Sequence, residues 1–557
     1  MRRPLLSATL AAVALAATPL AAAPANAPDA DPAAALITEA ALAAPTRLLA
    51  SDLFEGRAPG SRGDELTRAY LASQLESLGY QGGAEDGGFQ QRFAMVGITS
   101  STPAAWTFRA ASGEVTLATH EEFIAGSGLQ ATAAALDDAE LVFVGYGIQA
   151  PEYDWDDFKD VDVRGKVLLM LNNDPDWDPQ LFAGNTRLYY GRWSYKYESA
   201  ARQGAAGVII LHTVPSAGYP WQVVQSSWSG EQFELPDAGE ARLQVKAWTT
   251  EAATRRLLSA AGHDLDALVA AARSRDFRPQ PLGLRTSIDI AAAVRQVETA
   301  NVLGLLPGRD PELGKEVVIY SSHHDHLGIG EADAEGDSIH NGAIDNATGC
   351  SQLLALARAF TALPERPRRS ILFAFVAAEE QGLLGSRWYA EHPTFPPGRI
   401  AANINLDAGN VFGRTADITY IGYGKSSLDA VIEAAAAAQG RRVIGDTLPD
   451  RGFFYRSDQF SFARIGVPAL YLDGGKQFVG RDPEYGKRLQ EKFESTCYHQ
   501  PCDEFSAEWD FSGLVEDTRI AFTCGRVIAD ADLLPAWKPG DEFEARRLAE
   551  LAALAGD

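Results

Sequence analysis

Between residues 298 and 540 the chain alternates apolar runs of strand length with amphipathic segments of helical length. The apolar runs are EVVIYSS, SILFAFVAA, IAANINLD and VPALYLD, and segments such as ATGCSQLLALARAFTAL separate them. This alternation is typical of domains in which helices cover both faces of a largely parallel sheet. We therefore predict an α/β domain with a mixed, mostly parallel sheet flanked by helices.

Residues 136–290 have a different pattern. The runs AELVFVGYGI, GKVLLMLNN, LQVKAWTT and TSIDIAAAV indicate strands, and this stretch has no cluster of His, Asp and Glu with ligand spacing. The earlier segment GDELTRAYLASQLESLGY has apolar residues at helical spacing, and we assign it to the α/β domain. The predicted organisation is a signal peptide at 1–27, the N-terminal part of the α/β domain at 28–135, an inserted β-rich domain at 136–290, the main part of the α/β domain at 291–540 and a tail at 541–557.

The N-terminal segment and the net charge each argue against one class of partner. Arg2 and Arg3 precede an Ala/Leu-rich run, and small-residue cleavage patterns end at Ala25 and Ala27. This is the layout of a secretory signal peptide, so we predict export to the periplasm or the extracellular space, with no stable membrane insertion after cleavage. The net charge of −25 would repel a nucleic-acid backbone, so we expect no nucleic-acid partner.

Side chains that can bind metal ions follow three of the predicted strands. They are His323, His324 and Asp325 after EVVIYSS, Glu379 and Glu380 after SILFAFVAA, and Asp407 after IAANINL, with Asp345 and His499 in loops. Ligands of open α/β sheets bind beyond the carboxyl ends of the strands, so we expect these side chains at one edge. Taken singly, each could be a turn, cap or surface residue. Together they favour a metal site.

Strand alternation separates the residues that follow EVVIYSS. Side chains at positions i and i+2 share a face, so His323 and Asp325 point together while His324 and His326 point elsewhere. We predict His323 as a metal ligand and Asp325 as the acceptor for its other ring nitrogen, which would fix the tautomer. For His324, His326 and His340 we expect packing or hydrogen bonding near the site.

Two histidines, two carboxylates and a fifth, shared carboxylate suit a pair of Zn²⁺ ions. Two-metal sites hold the ions about 3.5–4 Å apart, with a water or hydroxide between them. Zinc accepts mixed nitrogen and oxygen ligation, and Mn²⁺ or Co²⁺ are chemically acceptable substitutes. The predicted cofactor is therefore two Zn²⁺.

Six motifs of the chain resemble the ordered signature of the M28 zinc aminopeptidases. They are SHHDHLG, NGAIDNATG, AAEEQGLLGS, NLDAGNVFGRT, YRSDQFSFARIGVPAL and YHQPCDEF. The resemblance covers roughly residues 45–130 and 295–540, and the insertion resembles a protease-associated (PA) domain. It implies a zinc exopeptidase-like fold and an aminopeptidase acting on peptide or protein N-termini. Gln459 departs from the SDH pattern of relatives; because no ligand role falls there, we expect altered pocket polarity rather than lost activity.

The resemblance implies a ligand role for five residues. His323 and Asp407 would hold one zinc ion, and Glu380 and His499 would hold the other. Asp345 would bridge the two ions, and the peptide bond after it is expected to be cis. These five side chains are the predicted metal ligands.

The resemblance also implies three further site residues. Glu379 would be the general base that takes a proton from the zinc-activated water. Asp325 would orient His323, and Tyr498 would stabilise the oxyanion. The predicted reaction is hydrolysis of the N-terminal peptide bond.

The cysteines divide into two pairs. Cys497 and Cys502 are close enough in sequence to close a small loop, and the resemblance implies a disulfide between them. Cys350 and Cys524 are expected as buried thiols, although a bridge between them stays open.

Three alternative functions stay open at this point. A glutaminyl cyclase of similar fold uses one zinc ion, whereas the full ligand set here favours two. A carboxypeptidase needs a basic pocket for the substrate carboxylate, and Arg456 and Arg387 are available. A receptor-like protein without activity would be expected to lack some of the ligands, and none is missing.

Overall fold

A computed structural model of the chain describes residues 31–556. The predicted signal peptide at 1–27 lies outside the described residues. Within residues 31–556, none of the helices combines the length and the hydropathy that a membrane span requires.

The bounds of the strands and helices are as follows. The strands are β1 Gln81–Gly82, β2 Gln90–Ser101, β3 Ala105–Ala110, β4 Gly113–Ala118, β5 Phe123–Ser127, β6 Ala133–Phe143, β7 Gln149–Ala150, β8 Trp155–Asp156, β9 Val167–Leu171, β10 Gly207–His212, β11 Glu231–Glu234, β12 Val245–Thr250, β13 Gln280–Leu306, β14 Val317–His323, β15 Gly328–Ile329, β16 Ile339–His340, β17 Ser370–Val376, β18 Ile400–Leu406, β19 Asp417–Ile421, β20 Arg442–Ile444 and β21 Ala469–Asp473. The α-helices are α1 Glu39–Leu49, α2 Arg62–Ser77, α3 Trp193–Arg202, α4 Val214–Ala217, α5 Trp221–Ser227, α6 Glu251–Ala260, α7 Leu265–Ala272, α8 Thr348–Thr361, α9 Leu384–Glu391, α10 Leu428–Ala438, α11 Gln459–Arg464, α12 Tyr485–Thr496, α13 Ser512–Asp530 and α14 Glu544–Gly556.

The main sheet has the strand order β20–β19–β21–β18–β14–β17–β13, with β1 and β2 paired to the outer side of β13. The strands β21, β18, β14 and β17 are mutually parallel, and they are the four apolar runs identified in the sequence. β13 is antiparallel to β17, and β19 is antiparallel to β21. The predicted mixed, mostly parallel sheet is therefore confirmed.

Both faces of this sheet are buried, which explains why its strands read as continuous apolar runs. On β14, Val318 and Tyr320 face a core that includes residues of α1, α8 and α13. Val317 and Ile319 of the same strand face the opposite core, which includes residues of α9 and α11. Because helices protect both faces, the edge at the strand ends is left to carry polar groups.

We call residues 102–290 the β-rich module. Its strands β6, β9, β10 and β12 are parallel, and β5 is antiparallel to β12. Its core also contains Trp106, Phe108 and Phe123, which lie on β3 and β5 and precede the predicted start at residue 136. β3 and β5 are only six and five residues long, so no long apolar run marked them in the sequence. The long strands β2 and β13 pair from Gln90 to Ser101 and connect the module to the main sheet.

Candidate metal centre

The carboxyl ends of three adjacent parallel strands form the floor of the candidate site. His323 is the last residue of β14, Glu379 and Glu380 follow β17, and Asp407 directly follows β18. Asp345 lies in the turn before α8 and is joined to the next residue by a cis peptide bond, as predicted. Parallel pairing of β17, β14 and β18 brings these ends together because neighbouring parallel strands finish at the same edge.

The five predicted ligands converge around the carboxylate of Asp345. His323 Nε2 lies 3.1 Å from Asp345 Oδ1 and 3.2 Å from Asp407 Oδ1. On the other side, His499 Nε2 lies 3.4 Å from Asp345 Oδ2 and 3.0 Å from Glu380 Oε2. The two oxygens of Asp345 thus face different histidines, and each histidine is also close to a second carboxylate.

The spacing of these donor atoms fits metal binding. Ligand atoms about 2.0–2.2 Å from a tetrahedral zinc ion lie about 3.3–3.6 Å from one another. The ligand atoms of His323, Asp345 and Asp407 all lie within 4.8 Å of one another. His499 Nε2 is buried and makes no hydrogen bond of acceptable geometry within residues 31–556, so the protein itself supplies no well-placed partner for this atom.

The charge of the site also calls for cations. Its carboxyl groups are Asp325, Asp345, Glu379, Glu380, Asp407 and Asp458. Burial, together with neighbouring carboxylates, raises the pKa of Glu379 well above its ordinary value, and burial raises the pKa of Asp458 to about 7. Although burial opposes the shift, nearby Glu380 and Asp345 raise the pKa of His499 to about 10. Such crowding of buried carboxylates is costly unless cations offset it, so the donor set fits divalent metal ions.

Asp325 has different partners from the predicted one. Its carboxylate accepts hydrogen bonds from the backbone N–H groups of Glu379, at 3.0 Å, and Glu380, at 3.3 Å. His323 Nδ1 lies 3.8 Å from the Asp325 carboxylate, but only 3.3 Å from the Asp325 backbone oxygen. The Asp325 carboxylate therefore orients the Glu379–Glu380 turn by accepting both of its N–H groups. The backbone oxygen of Asp325, and not its carboxylate, is the partner of the His323 imidazole.

His326 approaches the centre more closely than the other histidines that were placed outside the ligand set. Its Nδ1 lies 2.6 Å from Glu380 Oε1, and His326, Asp345 and Glu380 offer ligand atoms within 4.8 Å of one another. His324 points away and donates from Nε2 to the backbone oxygen of Ala300 at 3.3 Å. The alternation rule does not extend to His326 because β14 ends at residue 323.

Arg57 positions the metal-binding loops, and the sequence interpretation missed it. Its buried guanidinium donates to the backbone oxygens of Leu49, His324, Asn341 and Gly342 at 2.6–2.9 Å. One side chain thus joins the end of α1 to the loop after β14 and to the loop before the shared carboxylate. A lone arginine in a Gly/Pro-rich segment gives no sequence signal of such a role.

A cavity of about 230 Å³ lies over the centre. Asp345, Glu379, Glu380 and Asp407 line its floor. Its wall is largely apolar, with contributions from Phe412, Phe453, Phe478, Leu489 and Phe493. The site can therefore take an apolar side chain beside the metal-binding groups.

Tyr498 and Arg456 also line the cavity, and their side chains meet at Tyr498 Oη and Arg456 Nη2, 3.5 Å apart. Burial, with nearby carboxylates, raises the pKa of Tyr498 well above its usual value, so the phenol remains a hydrogen-bond donor at neutral pH. Arg387 instead pairs with Glu391 at 2.8 Å and lies outside the cavity lining. Of the two arginines considered for binding a substrate carboxylate, Arg456 is the one in position.

Gln459 does not face the cavity. Its amide oxygen accepts from Asn405 at 2.9 Å and its amide nitrogen donates to the backbone oxygen of Phe454 at 2.8 Å. The side chain is fully buried within this network. The expected change in pocket polarity is therefore wrong, because Gln459 supports the strand β18 from behind the site.

The cysteines behave as expected. Cys497 and Cys502 form a disulfide that closes the loop containing His499. Cys350 and Cys524 are buried free thiols.

Buried carboxylates and histidines at the ends of parallel strands, beneath a cavity, form a site whose donor atoms suit divalent metal ions. Comparison with known proteins gives the family. Residues 301–523 match the model of Peptidase family M28.

A solved structure shows the same fold, and parts of two curated proteins are similar in sequence. The structure of "Aminopeptidase from Aneurinibacillus sp. strain AM-1" aligns over 90% of this chain and 96% of that chain, with a TM-score of 0.51 and 20% identity. Leupeptin-inactivating enzyme 1 of Streptomyces exfoliatus is 24% identical over 210 residues, which cover 37% of this chain and 43% of the relative. A probable zinc metalloprotease of Pyrenophora teres f. teres (strain 0-1) is 35% identical over 112 residues, which cover 20% of this chain and 23% of the relative. The chain thus spans less than half the length of these two curated relatives.

Proposed function

We propose that the protein is an exported dinuclear zinc aminopeptidase that removes N-terminal residues from peptides or proteins. The observation that carries the proposal is the position of Asp345, whose two oxygens face two different histidines. A shared carboxylate of this kind is what two neighbouring cations require. The leader-like sequence at residues 1–27 supports export.

Each proposed zinc site has its own histidine and carboxylate. His323 and Asp407 would hold one ion, Glu380 and His499 the other, with Asp345 between them. When bound, the ions would polarise the scissile carbonyl and lower the pKa of water. The remaining chemistry falls to side chains that line the cavity and are not needed as ligands.

Glu379 is the proposed general base. It lines the cavity next to Glu380, and the hydrogen bond from its backbone N–H to Asp325 fixes the turn that carries it. In this role it takes a proton from the attacking water and returns it to the leaving amine. Tyr498 donates its phenolic proton toward the carbonyl oxygen as negative charge develops there.

The cavity supports an exopeptidase rather than an enzyme that cuts within long chains. Its apolar wall suits the side chain of a terminal residue, and the acidic floor suits a free α-amino group. Arg456 favours a second candidate, a carboxypeptidase, because its guanidinium could bind a substrate carboxylate. Hydrolysis of carboxyl-blocked but not amino-blocked dipeptides would support the aminopeptidase, and the reverse would support the carboxypeptidase.

The substitution Glu379→Gln tests the proposed reaction. We expect kcat for an aminoacyl-anilide to fall by about 10²–10⁴-fold, because general-base catalysis is lost while the donor set is intact. Zinc content should stay at two ions per chain, and Glu391→Gln on the exposed side of α9 is the matched control. Turnover near wild type in Glu379→Gln with both ions bound would exclude the general-base role. A wild-type stoichiometry of one ion, with cyclisation of glutaminyl peptides, would instead favour a cyclase.

We further propose that the β-rich module is a PA-like domain inserted into the peptidase domain. The separate core of the module supports this division, as does its connection to the main sheet through β2 and β13. Expression of the chain with and without the module would test whether the peptidase part folds alone.

A further inference from the structure

Helix α5 of the β-rich module lies against the loop that carries His499. Ser227 Oγ lies 2.7 Å from His499 Nδ1. Two further hydrogen bonds join the same surfaces: Gln500 donates to Ser226 Oγ at 3.2 Å, and Gln222 donates to the backbone oxygen of Ser495 at 2.9 Å. The pair of Ser227 and His499 is therefore part of a larger contact between α5 and the segment around His499.

The orientation of the His499 ring indicates what its contact with Ser227 does. Its Nε2 faces Glu380 and Asp345, while Nδ1 faces Ser227. An imidazole that offers the lone pair of Nε2 to a cation carries its proton on Nδ1, and that N–H needs an acceptor. The Ser227 hydroxyl oxygen is an acceptor at hydrogen-bonding distance, and it would fix both the tautomer and the plane of the ring.

His499 depends on such support more than the other proposed ligands do. His323 ends a central strand, and the backbone N–H of Asp345 is held by the Asp503 carboxylate at 3.1 Å. His499 instead follows α12 in a loop and has a positive φ of 59°. Its neighbour Tyr498 packs against the core of the module, so the orientation of this loop is set partly from across the interface.

We propose that Ser227 is a positioning residue for the metal site, so that the β-rich module completes a centre whose ligands all lie outside it. The inference rests on the proposed metal site and deepens it. Partners of this kind typically change metal affinity by about 10–100-fold when they are removed. The module then acts on metal occupancy, in addition to lining the cavity through Gly218.

The test compares three serine variants of the full-length protein. Ser227→Ala removes the acceptor, Ser227→Thr keeps a hydroxyl, and Ser229→Ala is a matched control, because Ser229 Oγ makes no hydrogen bond within residues 31–556. Zinc affinity is measured by competition with a chromophoric chelator, and the melting temperature is measured on the metal-free proteins. We expect one of the two zinc ions to bind about 10–100-fold more weakly in Ser227→Ala. The other two variants should match wild type, and all four metal-free proteins should melt together.

The outcomes separate this inference from the proposed function. Wild-type zinc affinity in Ser227→Ala would overturn the positioning role while leaving the dinuclear site intact. An equal loss of affinity in Ser229→Ala would also overturn it, because the effect would then come from general loosening around α5. A wild-type protein that binds no zinc would overturn the proposed function itself.

Discussion

The main sheet and the β-rich module both bury clusters of charged side chains, but they balance the charge differently. In the module, Lys196 and Arg187 lie among Asp157 and Asp174, so two cations accompany two carboxylates. Lys196 Nζ also donates to the backbone oxygens of Tyr146 and Asn173 at 2.7 and 2.8 Å. In the main sheet, carboxyl groups crowd around two histidines.

The difference shows how charge balance separates a structural cluster from a metal centre. Burial lowers the pKa of Lys196 to about 7 and raises the pKa of Asp157 to about 7, yet each group has an opposite charge nearby within the chain. The cluster is complete without a ligand. At the metal centre the chain supplies mostly negative groups, so the balancing charge has to be bound from solution.

Metal removal should produce the largest effect. Treatment with a chelator should reduce turnover of an aminoacyl-anilide to the uncatalysed background, and added Zn²⁺ should restore it. The melting temperature should fall as well, because zinc at 100 times its Kd stabilises a site by about 2.7 kcal/mol. Activity that persists once metal analysis shows no bound metal would contradict the conclusion that this centre needs cations from solution.

Removing a cation from the buried cluster of the module should lower the stability of the protein and leave its zinc content unchanged. In Lys196→Met, two buried carboxylates lose their nearest cation, and we expect a loss of about 3–5 kcal/mol in the free energy of unfolding. Lys166→Met is the control, since Lys166 pairs with Glu140 on the partly exposed surface and should change stability by about 0.5 kcal/mol or less. Denaturant unfolding measures both. Reduced zinc content in Lys196→Met without lost stability would show that the two regions are not separate.

The parts of the fold that could be predicted from sequence are those with strong periodic patterns. The four apolar runs became the four parallel strands because both faces of each are buried. The strands β3 and β4 were missed because one exposed face breaks up their apolar residues, as in β4, where Leu117 is the one fully buried side chain. β5 was missed because it is only five residues long. Periodicity therefore finds central strands better than peripheral ones.

Contacts between distant segments could not be predicted in the same way. Ser227 and His499 are 272 positions apart, and Arg57 and His324 are 267 apart. A serine in a short helix and a single arginine have no pattern that distinguishes them from surface residues. Among the proposed ligands, His323, Glu380 and Asp407 lie at or just after strand ends, where their residue types are informative. Asp345 and His499 lie in loops, and their ligand roles came from the family resemblance.

The disulfide should have an intermediate effect, because it constrains the loop of His499 and not the strand ends. Replacing Cys497 and Cys502 together by Ser should lower stability by about 2 kcal/mol through the entropy of a short loop. The same change should weaken zinc binding on the His499 side. Combined with Ser227→Ala, the losses in affinity should be less than additive, because both changes free the same ring. Full additivity would indicate that serine and disulfide act on different atoms.

The smallest effect should come from His212, a buried titratable group of the module close to α5. Its Nε2 donates to the backbone oxygen of Tyr219 at 3.1 Å, its ring packs against Trp221 and Trp248, and burial lowers its pKa. A lowered pKa means that the folded state favours neutral His212, so protons bind the unfolded state first as pH falls through the ordinary range of about 6.5. The stability that His212 contributes is therefore present above that pH and declines on acidification.

The variant His212→Gln isolates this contribution, because the other titrating groups are the same in both proteins. The difference in unfolding free energy between wild type and His212→Gln should be larger near about pH 8 than near about pH 5.5. His392→Gln, at an exposed position on the main domain, is the control for replacing a histidine. A wild-type advantage that grows on acidification would mean that protonated His212 is the stabilised form.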